Sequence, residues 1–231
     1  MNVLVVDIGG SFVKVCHMPS GEVRRFESGP HLTPQALMTG VADCRAGRDY
    51  DVVSIGYPGR VGPGGPCDEP GNLSGGWVGF DFDAAFERPV KVANDAVLQA
   101  LGGYDGGKML FLGLGTGLGA ALVDDGLVLP LELGELPCDG DILFNRIGQA
   151  ALDESGRDAW LHRVRRWVEC LRRAFLADYV LLGGGNAALV DPLPDKTRRG
   201  GIEDAFTGGV RLWEEGVAHR ALLTSRIWSV L

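Results

Sequence analysis

The sequence contains no Cys-x-x-Cys pair, and its five cysteines (Cys16, Cys44, Cys67, Cys138 and Cys170) form an odd set at irregular spacing. That argues against a zinc knuckle or a full disulfide framework and predicts free thiols in a reducing compartment. Positive charge is not in excess: 22 Lys and Arg stand against 30 Asp and Glu, a formal net charge of -8. A dedicated binder of nucleic acid or of acidic membranes is therefore not expected. No apolar run approaches the length of a bilayer span. The first residues carry no basic stretch and enter a strand pattern at once, so no secretory signal is expected. A soluble, cytoplasmic protein is the expectation from these absences.

Glycine is abundant, at 36 of 231 residues, yet it forms neither a Gly-X-Y period nor a low-complexity tract. It gathers at the ends of apolar runs, where it permits φ > 0 or lets a ligand approach the backbone. With 45% hydrophobic residues, the chain can build one large core or two lobes.

Hydrophobic patterning orders the chain as follows. Residues 3–8, 12–18 and 23–26 read as strands, the last two joined by a turn at "PSGE". Residues 33–46 fit a helix with Pro34 in its first turn. A strand at 51–59 precedes a loop at 62–79 rich in Gly and Pro, and loops of that length are usually functional or disordered. "PVKVAND" at 89–95 is a short strand, followed by a helix from Ala96 that Asn94 or Asp95 can cap. "KMLFLGLGTGLGAALVDDGLVLP" at 108–130 repeats the opening order of strand, glycine turn, strand, turn and strand. Gly113 takes the place of Asp7 in this repeat, and Gly115 that of Gly9. A strong amphipathic helix spans 157–177. "YVLLGGGNAALV" at 179–190 reads as a strand, a triple-glycine turn and the start of a helix. A last helix is expected at 218–228. The repeat predicts two α/β lobes facing a cleft.

Two glycine motifs mislead. "GGYDGGK" at 102–108 lacks the Ser or Thr of a P-loop and precedes a strand rather than a helix. "GTGLGA" at 115–120 matches a dinucleotide fingerprint, but "DDG" turns the chain before a crossover helix can form. A glycine hairpin fits both repeats better. Exposed N–H groups at such a tip can donate to phosphate oxygens, although a tight turn alone explains one hairpin. Asp7 at a strand end could orient a hydrated Mg²⁺ or simply bond to the glycine N–H groups of its turn.

In the order "DIGGSFVK", "VANDA", "GLGTGLGAAL" and "LLGGGN", the sequence resembles the ROK sugar kinases of the actin–hexokinase superfamily. It is most similar to their polyphosphate-glucokinase branch, which shares Ser11, Lys14 and a stretch like "FTGGVRLW" at 206–213. The resemblance implies a two-lobed, actin-like (ribonuclease H-like) α/β fold with a central cleft. It places an N-terminal lobe at 1–93, joined by a C-terminal helix at 218–231, and a nucleotide-side lobe at 94–217. Asp95 becomes the general base, with helix capping as its structural alternative. Asn72, Asn94, Glu132 and Glu135 would border the sugar, although Asn72 and Glu132 taken singly suit plain loop roles. Gly9, Gly10, Ser11, Lys14, Gly115, Thr116 and Gly117 would face phosphates. Gly183, Gly184, Gly185 and Asn186 would border the nucleotide, and Asp7 would hold Mg²⁺ through water.

Three departures from the family stand out. Its Cys-rich zinc segment is missing, so no structural zinc is expected. Its E-x-G-H reads Glu132-Leu133-Gly134-Glu135, and the chain is short for the family. The implied activity is phosphoryl transfer from ATP with Mg²⁺ to a hexose such as glucose. Two alternatives stay open: polyphosphate as donor, and a catalytically silent sugar binder or regulator of the same fold. Arg163, Arg165, Arg166, Arg172 and Arg173 suit either a polyanion track or a solvated helix face. The expected partners are a small-molecule sugar and a phosphoryl donor, with no nucleic acid or membrane; a homodimer is left open.

Overall fold

A computed structural model describes residues 1–231 except 19, 125, 126, 215, 216, 223, 224 and 231, with side chains described through residue 214. The first half runs β1 (Val3–Ile8), β2 (Phe12–Met18), β3 (Glu22–Glu27), α1 (Pro34–Arg45), β4 (Val52–Tyr57), β5 (Val61–Gly62), β6 (Gly65–Pro66), α2 (Phe82–Phe86) and β7 (Val90–Asn94). The second runs α3 (Asp95–Gly103), β8 (Met109–Leu114), β9 (Leu118–Asp124), β10 (Leu127–Leu131), β11 (Pro137–Cys138), β12 (Asp141–Ile142), α4 (Leu143–Ile147), α5 (Gln149–Ser155) and α6 (Arg157–Ala174). It ends with β13 (Tyr179–Gly183), β14 (Thr197–Arg199), α7 (Asp204–Arg211), β15 (Val217–Leu222) and β16 (Ser225–Val230).

The repeat read from the sequence is a repeat of topology. The first sheet has the order β3-β2-β1-β4-β7, and the second contains β14-β13-β8-β9-β10. In each, an antiparallel meander lies beside parallel strands reached by crossover. Asp7 pairs with Lys14 and Gly56, and Gly113 pairs with Gly119 and Gly183. The central strands β1, β4 and β13 are buried along their whole length, as continuous apolar runs in parallel sheets require.

Each sheet has its own core. Leu37 and Val41 of α1 pack with β1, β4, Trp77 and Phe82 in the first half. Trp160, Val164, Val168 and Leu171 of α6 pack on β8, β9 and β13 in the second. Between the cores, α3 and α7 cross with their backbones in contact. A Cβ on Gly208 would lie 1.9 Å from Leu98 O, and one on Gly102 would lie 1.8 Å from Asp204 O. A third contact crosses from α7 to β4, where buried Ser54 donates to Gly209 O at 2.6 Å and accepts from Trp213 Nε1 at 2.9 Å.

Two expectations need correction. The helix expected at 218–231 is instead the β15–β16 hairpin, with residues 223, 224 and 231 outside the described ones. β16 pairs with β10 (Leu127↔Ser229, Val128↔Trp228). Without it β10 would be an edge strand with unpaired backbone groups, and that demand outweighs local helical periodicity. The helix expected after the triple glycine shrinks to a 3₁₀ turn at Ala187–Leu189, because Pro192 pushes the residue before it out of helical geometry. Among the described residues, no helix is long and apolar enough to cross a membrane.

Candidate active site

Asp7 is the next-to-last residue of β1 and is 4% exposed. The antiparallel register sets Lys14 opposite it, and Nζ donates to Asp7 Oδ2 at 3.2 Å. Burial pushes the Asp7 carboxyl above the usual range, and Lys14 opposes that rise. On the other side lies Gly56. A Cβ there would stand 3.2 Å from Asp7 Oδ1 and 3.5 Å from Asp95 Cα. Glycine on β4 is what lets the strand-end carboxylate and the first residue of α3 come together.

The cap of α3 belongs to Asn94, whose Oδ1 accepts from Ala96 N at 3.0 Å and Val97 N at 3.3 Å. Its Nδ2 donates to Gly59 O at 3.2 Å. Asn94 therefore spends its acceptor on the helix terminus, where N–H groups lack intrahelical partners. Asp95 Oδ1 accepts from Ala96 N at 2.8 Å. Asp95 keeps some surface open yet sits deep among protein atoms, and its carboxyl is pushed up to about 7, first by burial, then by Asp7 and Glu132.

The folded chain thus keeps a proton on Asp95 that the unfolded chain, with an ordinary value of 3.8, releases. This contribution to stability is complete below about pH 4 and is lost as pH rises toward 7. At about 1.36 kcal/mol per pH unit, it amounts to at most about 4 kcal/mol. In metal-free buffer, Asp95→Asn is expected to melt above wild type at pH 8 by a margin that shrinks toward pH 5. Thermal melts at both values test this, and a margin independent of pH would refute it.

The two glycine hairpins meet tip to tip. A Cβ on Gly10 would lie 3.0 Å from Thr116 Oγ1 and 2.9 Å from Asn72 Nδ2. Asn72 thus sits where the hairpins converge, on a loop that is built rather than loose. Glu69 accepts from Trp77 N at 3.0 Å and Val78 N at 3.2 Å, and the buried Trp77 packs on Tyr57. Gly9 N donates to Phe12 O across the first tip, and Ser11 is exposed there. At the second tip, a Cβ on Gly115 would meet nothing within 4 Å, whereas one on Gly117 would lie 1.8 Å from the Phe144 ring. Packing against Phe144 is reason enough for glycine at 117.

The third turn is built in the same way. Gly184 has φ +81°, and a Cβ on it would lie 2.2 Å from Leu114 O, while Gly185 faces open space. Gly183 leaves room for the Phe111 ring. Asn186 donates through its backbone N to Leu114 O at 3.0 Å and through Nδ2 to Gln149 Oε1 at 2.9 Å.

Glu132 and Glu135 bracket a 3₁₀ turn, Leu133–Glu135, in which residues three apart eclipse. Both are exposed. Partial desolvation and then Glu135 raise the Glu132 carboxyl, against the pull of Arg60. Arg60 is forked onto Asp68, with Nη2 donating to Oδ1 at 2.7 Å. Sequence reading missed Arg60, Phe144 and Gln149. The "RVGPGGPCD" stretch reads only as loop, and no local signal marks the other two.

The arginines of α6 are partly spent on structure. Arg163 Nε donates to Arg146 O at 3.0 Å, and Arg165 Nη2 to Asp191 O at 2.5 Å. Arg165, Arg166 and Arg172 line a groove of about 710 Å³, but Asp158, Glu169 and Asp195 line it too.

Two glycine hairpins meet beside a carboxylate pair, and this frame has close counterparts. The inorganic polyphosphate/ATP-glucomannokinase from Arthrobacter sp. strain KM superposes with a TM-score of 0.77 at 24% identity, covering 90% of this chain and 96% of that one. A ROK family glucokinase from Streptomyces griseus, in complex with glucose and AMPPNP, gives 0.72 at 18% identity over 92% and 99%. The fold is that of the ROK sugar kinases. Similarity extends to sequence. The polyphosphate glucokinase of Mycobacterium leprae (strain TN) is 25% identical over 209 residues, 80% of this chain. The chain spans 64% of that relative's length, and 78% of the polyphosphate glucokinase of Mycobacterium tuberculosis (strain CDC 1551 / Oshkosh), at 24% identity. No family model matches the chain.

Proposed function

We propose that the chain is a sugar kinase, transferring a phosphoryl group from ATP to a hydroxyl of a hexose such as glucose. One observation carries this reading: Asp95, with a carboxyl near pKa 7, lies beside Asp7 next to the meeting point of two glycine hairpins. A base with a value near the working pH combines a useful fraction of carboxylate with proton affinity. Asp95 takes the proton from the sugar hydroxyl as that oxygen bonds to phosphorus and the ADP oxygen leaves. Backbone N–H groups at the hairpin tips receive the phosphate oxygens. Asn72, Glu132 and Glu135 hold sugar hydroxyls, and Asn94 keeps α3, and with it Asp95, in place. Gly183, Gly184, Gly185 and Asn186 border the nucleotide.

Magnesium fits the donor set. Asp7 and Asp95 are neighbouring carboxylates raised first by burial, Asp95 further by the charge of Asp7, and Lys14 bonds to Asp7 on the side away from Asp95. Mg²⁺ binds through one or two carboxylates while keeping waters. Among the described residues, no group of three His, Cys, Asp or Glu is placed to hold a metal, so Asp7 would act through water, on its Oδ1 side. When bound, the ion neutralises charge on the transferring phosphates.

The similarity to polyphosphate glucokinases favours a second donor, polyphosphate. The enzyme would work in the cytoplasm. A hexose panel tested with ATP, followed as ADP production, and with polyphosphate, followed as sugar phosphate, checks the reading. Sugar binding without turnover by either donor would identify a silent binder instead.

Glu135 gives a specificity prediction. Glu132 and Glu135 present two carboxylates on one face of their turn, which suits hydroxyl donors or the ammonium of an amino sugar. Glu135→His removes one negative charge and is expected to shift the kcat/KM ratio of glucose to glucosamine toward glucose by roughly 10-fold, about 1.4 kcal/mol. An unchanged ratio would show that Glu135 does not touch the sugar.

A further inference from the structure

The tip of the second hairpin is fastened from behind through three consecutive carbonyls. Leu114 O accepts from Asn186 N at 3.0 Å, while Gly115 O and Thr116 O share Gln149 N at 3.0 and 3.2 Å. Gly148 makes this approach possible, since a Cβ there would lie 2.5 Å from Thr116 O. The side chain of Gln149 reaches the other way. Its Oε1 accepts from Asn186 Nδ2 at 2.9 Å, and its Nε2 donates to Asp153 Oδ1 at 2.8 Å. One residue, the first of α5, therefore bonds to both glycine turns assigned to the phosphoryl donor.

We propose that Gln149 is a positioning residue that locks the turns at 115–117 and 183–186 into one fixed relation. The proposal takes its purpose from the phosphoryl-transfer reading, but its geometry stands without it. Two backbone turns that share one donor molecule must keep their spacing, and a misplacement of about 1 Å can cost on the order of 10²-fold in rate. The backbone N–H of Gln149 fixes one turn and its amide the other, so a change at the amide separates coupling from local support.

Gln149→Met keeps length, helix propensity and the backbone N–H but removes the tie to Asn186. In the free protein, amide hydrogen exchange at Gly115, bonded to Gly117 O, and at Asn186, bonded to Leu114 O, is expected to accelerate together, by about 10-fold or more. The KM for ATP should rise roughly fivefold, with the KM for sugar within about twofold of wild type. Asn186→Ala, approaching the bond from its other end, should speed exchange at Gly115 equally, and the double variant should add little, as expected for partners in one contact. Gln149→Glu with Asp153→Asn restores an acceptor for Asn186 and should bring exchange back toward wild type. Unchanged exchange at Gly115 in Gln149→Met, acceleration confined to Asn186, or multiplicative effects in the double variant would each overturn the proposal. Because exchange is read without substrate, a protein inactive with both donors would count against the kinase reading while leaving this result interpretable.

Discussion

Asp95→Asn is expected to lower kcat by roughly 10²-fold or more while sugar affinity stays near wild type. Asparagine is nearly isosteric and can still accept from Ala96 N, as Asp95 Oδ1 does, so α3 should begin as before. Its cap is Asn94, which the substitution leaves alone. The change removes the proton acceptor and one of the negative charges gathered around Gly56. Its effect therefore falls on the chemical step, where hydroxyl deprotonation is needed, and little on the ground state. Single-turnover kinetics with a separate sugar titration resolve the two. Retained turnover in a folded Asp95→Asn protein would mean that Asp95 is not the base.

Gly115→Val is expected to raise the KM for the phosphoryl donor by roughly 10- to 100-fold, with sugar affinity little changed. The position is suited to this test because no protein atom lies within 4 Å of a Cβ there, so the variant should fold. Gly117 is unsuitable, since any side chain would collide with Phe144. A valine at 115 crowds the space where the tip would meet phosphate oxygens, and lost backbone contacts at close range cannot be recovered by small shifts. Calorimetry with a non-hydrolysable nucleotide and with the sugar gives the two affinities. Weakened sugar binding with unchanged nucleotide binding would place the sugar, not the donor, at this tip.

The frame of this cleft was legible because it is written in local signals. Buried strands such as β1 and β8 are short apolar runs stopped by glycine, and the repeat sets Asp7 against Gly113. The polar ends "VVDIGG" and "VAND" mark where two strands finish on one side. What escaped reading depends on distant partners. Asn94 and Asp95 are equivalent capping candidates in sequence, and the fold separates them: Asn94 accepts from both Ala96 N and Val97 N while its Nδ2 is held by Gly59 O. Gln149 looks like any first-turn residue until Gly115, Thr116 and Asn186 arrive from elsewhere. The strands Val217–Leu222 and Ser225–Val230 carry a helical pattern, and the open side of β10 decides their state. The arginines of α6 advertise charge, yet Arg163 and Arg165 turn toward main-chain carbonyls.

The crossing of α3 and α7 sets a limit on how this protein can be made more heat-resistant. Replacing helical glycine by alanine is a common route to a gain of about 1 kcal/mol, because alanine restricts the unfolded chain. Here Gly102 and Gly208 serve as the contact itself, and Gly103 and Gly209 let the same two helices sit close on the strands beneath. A methyl group at 102 or 208 would enter a main-chain carbonyl, one at 103 would press on Leu181, and one at 209 on Val5. The usual gain would be outweighed by separating the helices that join the two cores. Exposed glycines such as Gly64 and Gly71, with open space around them and no left-handed backbone, are the safer places to stiffen the chain.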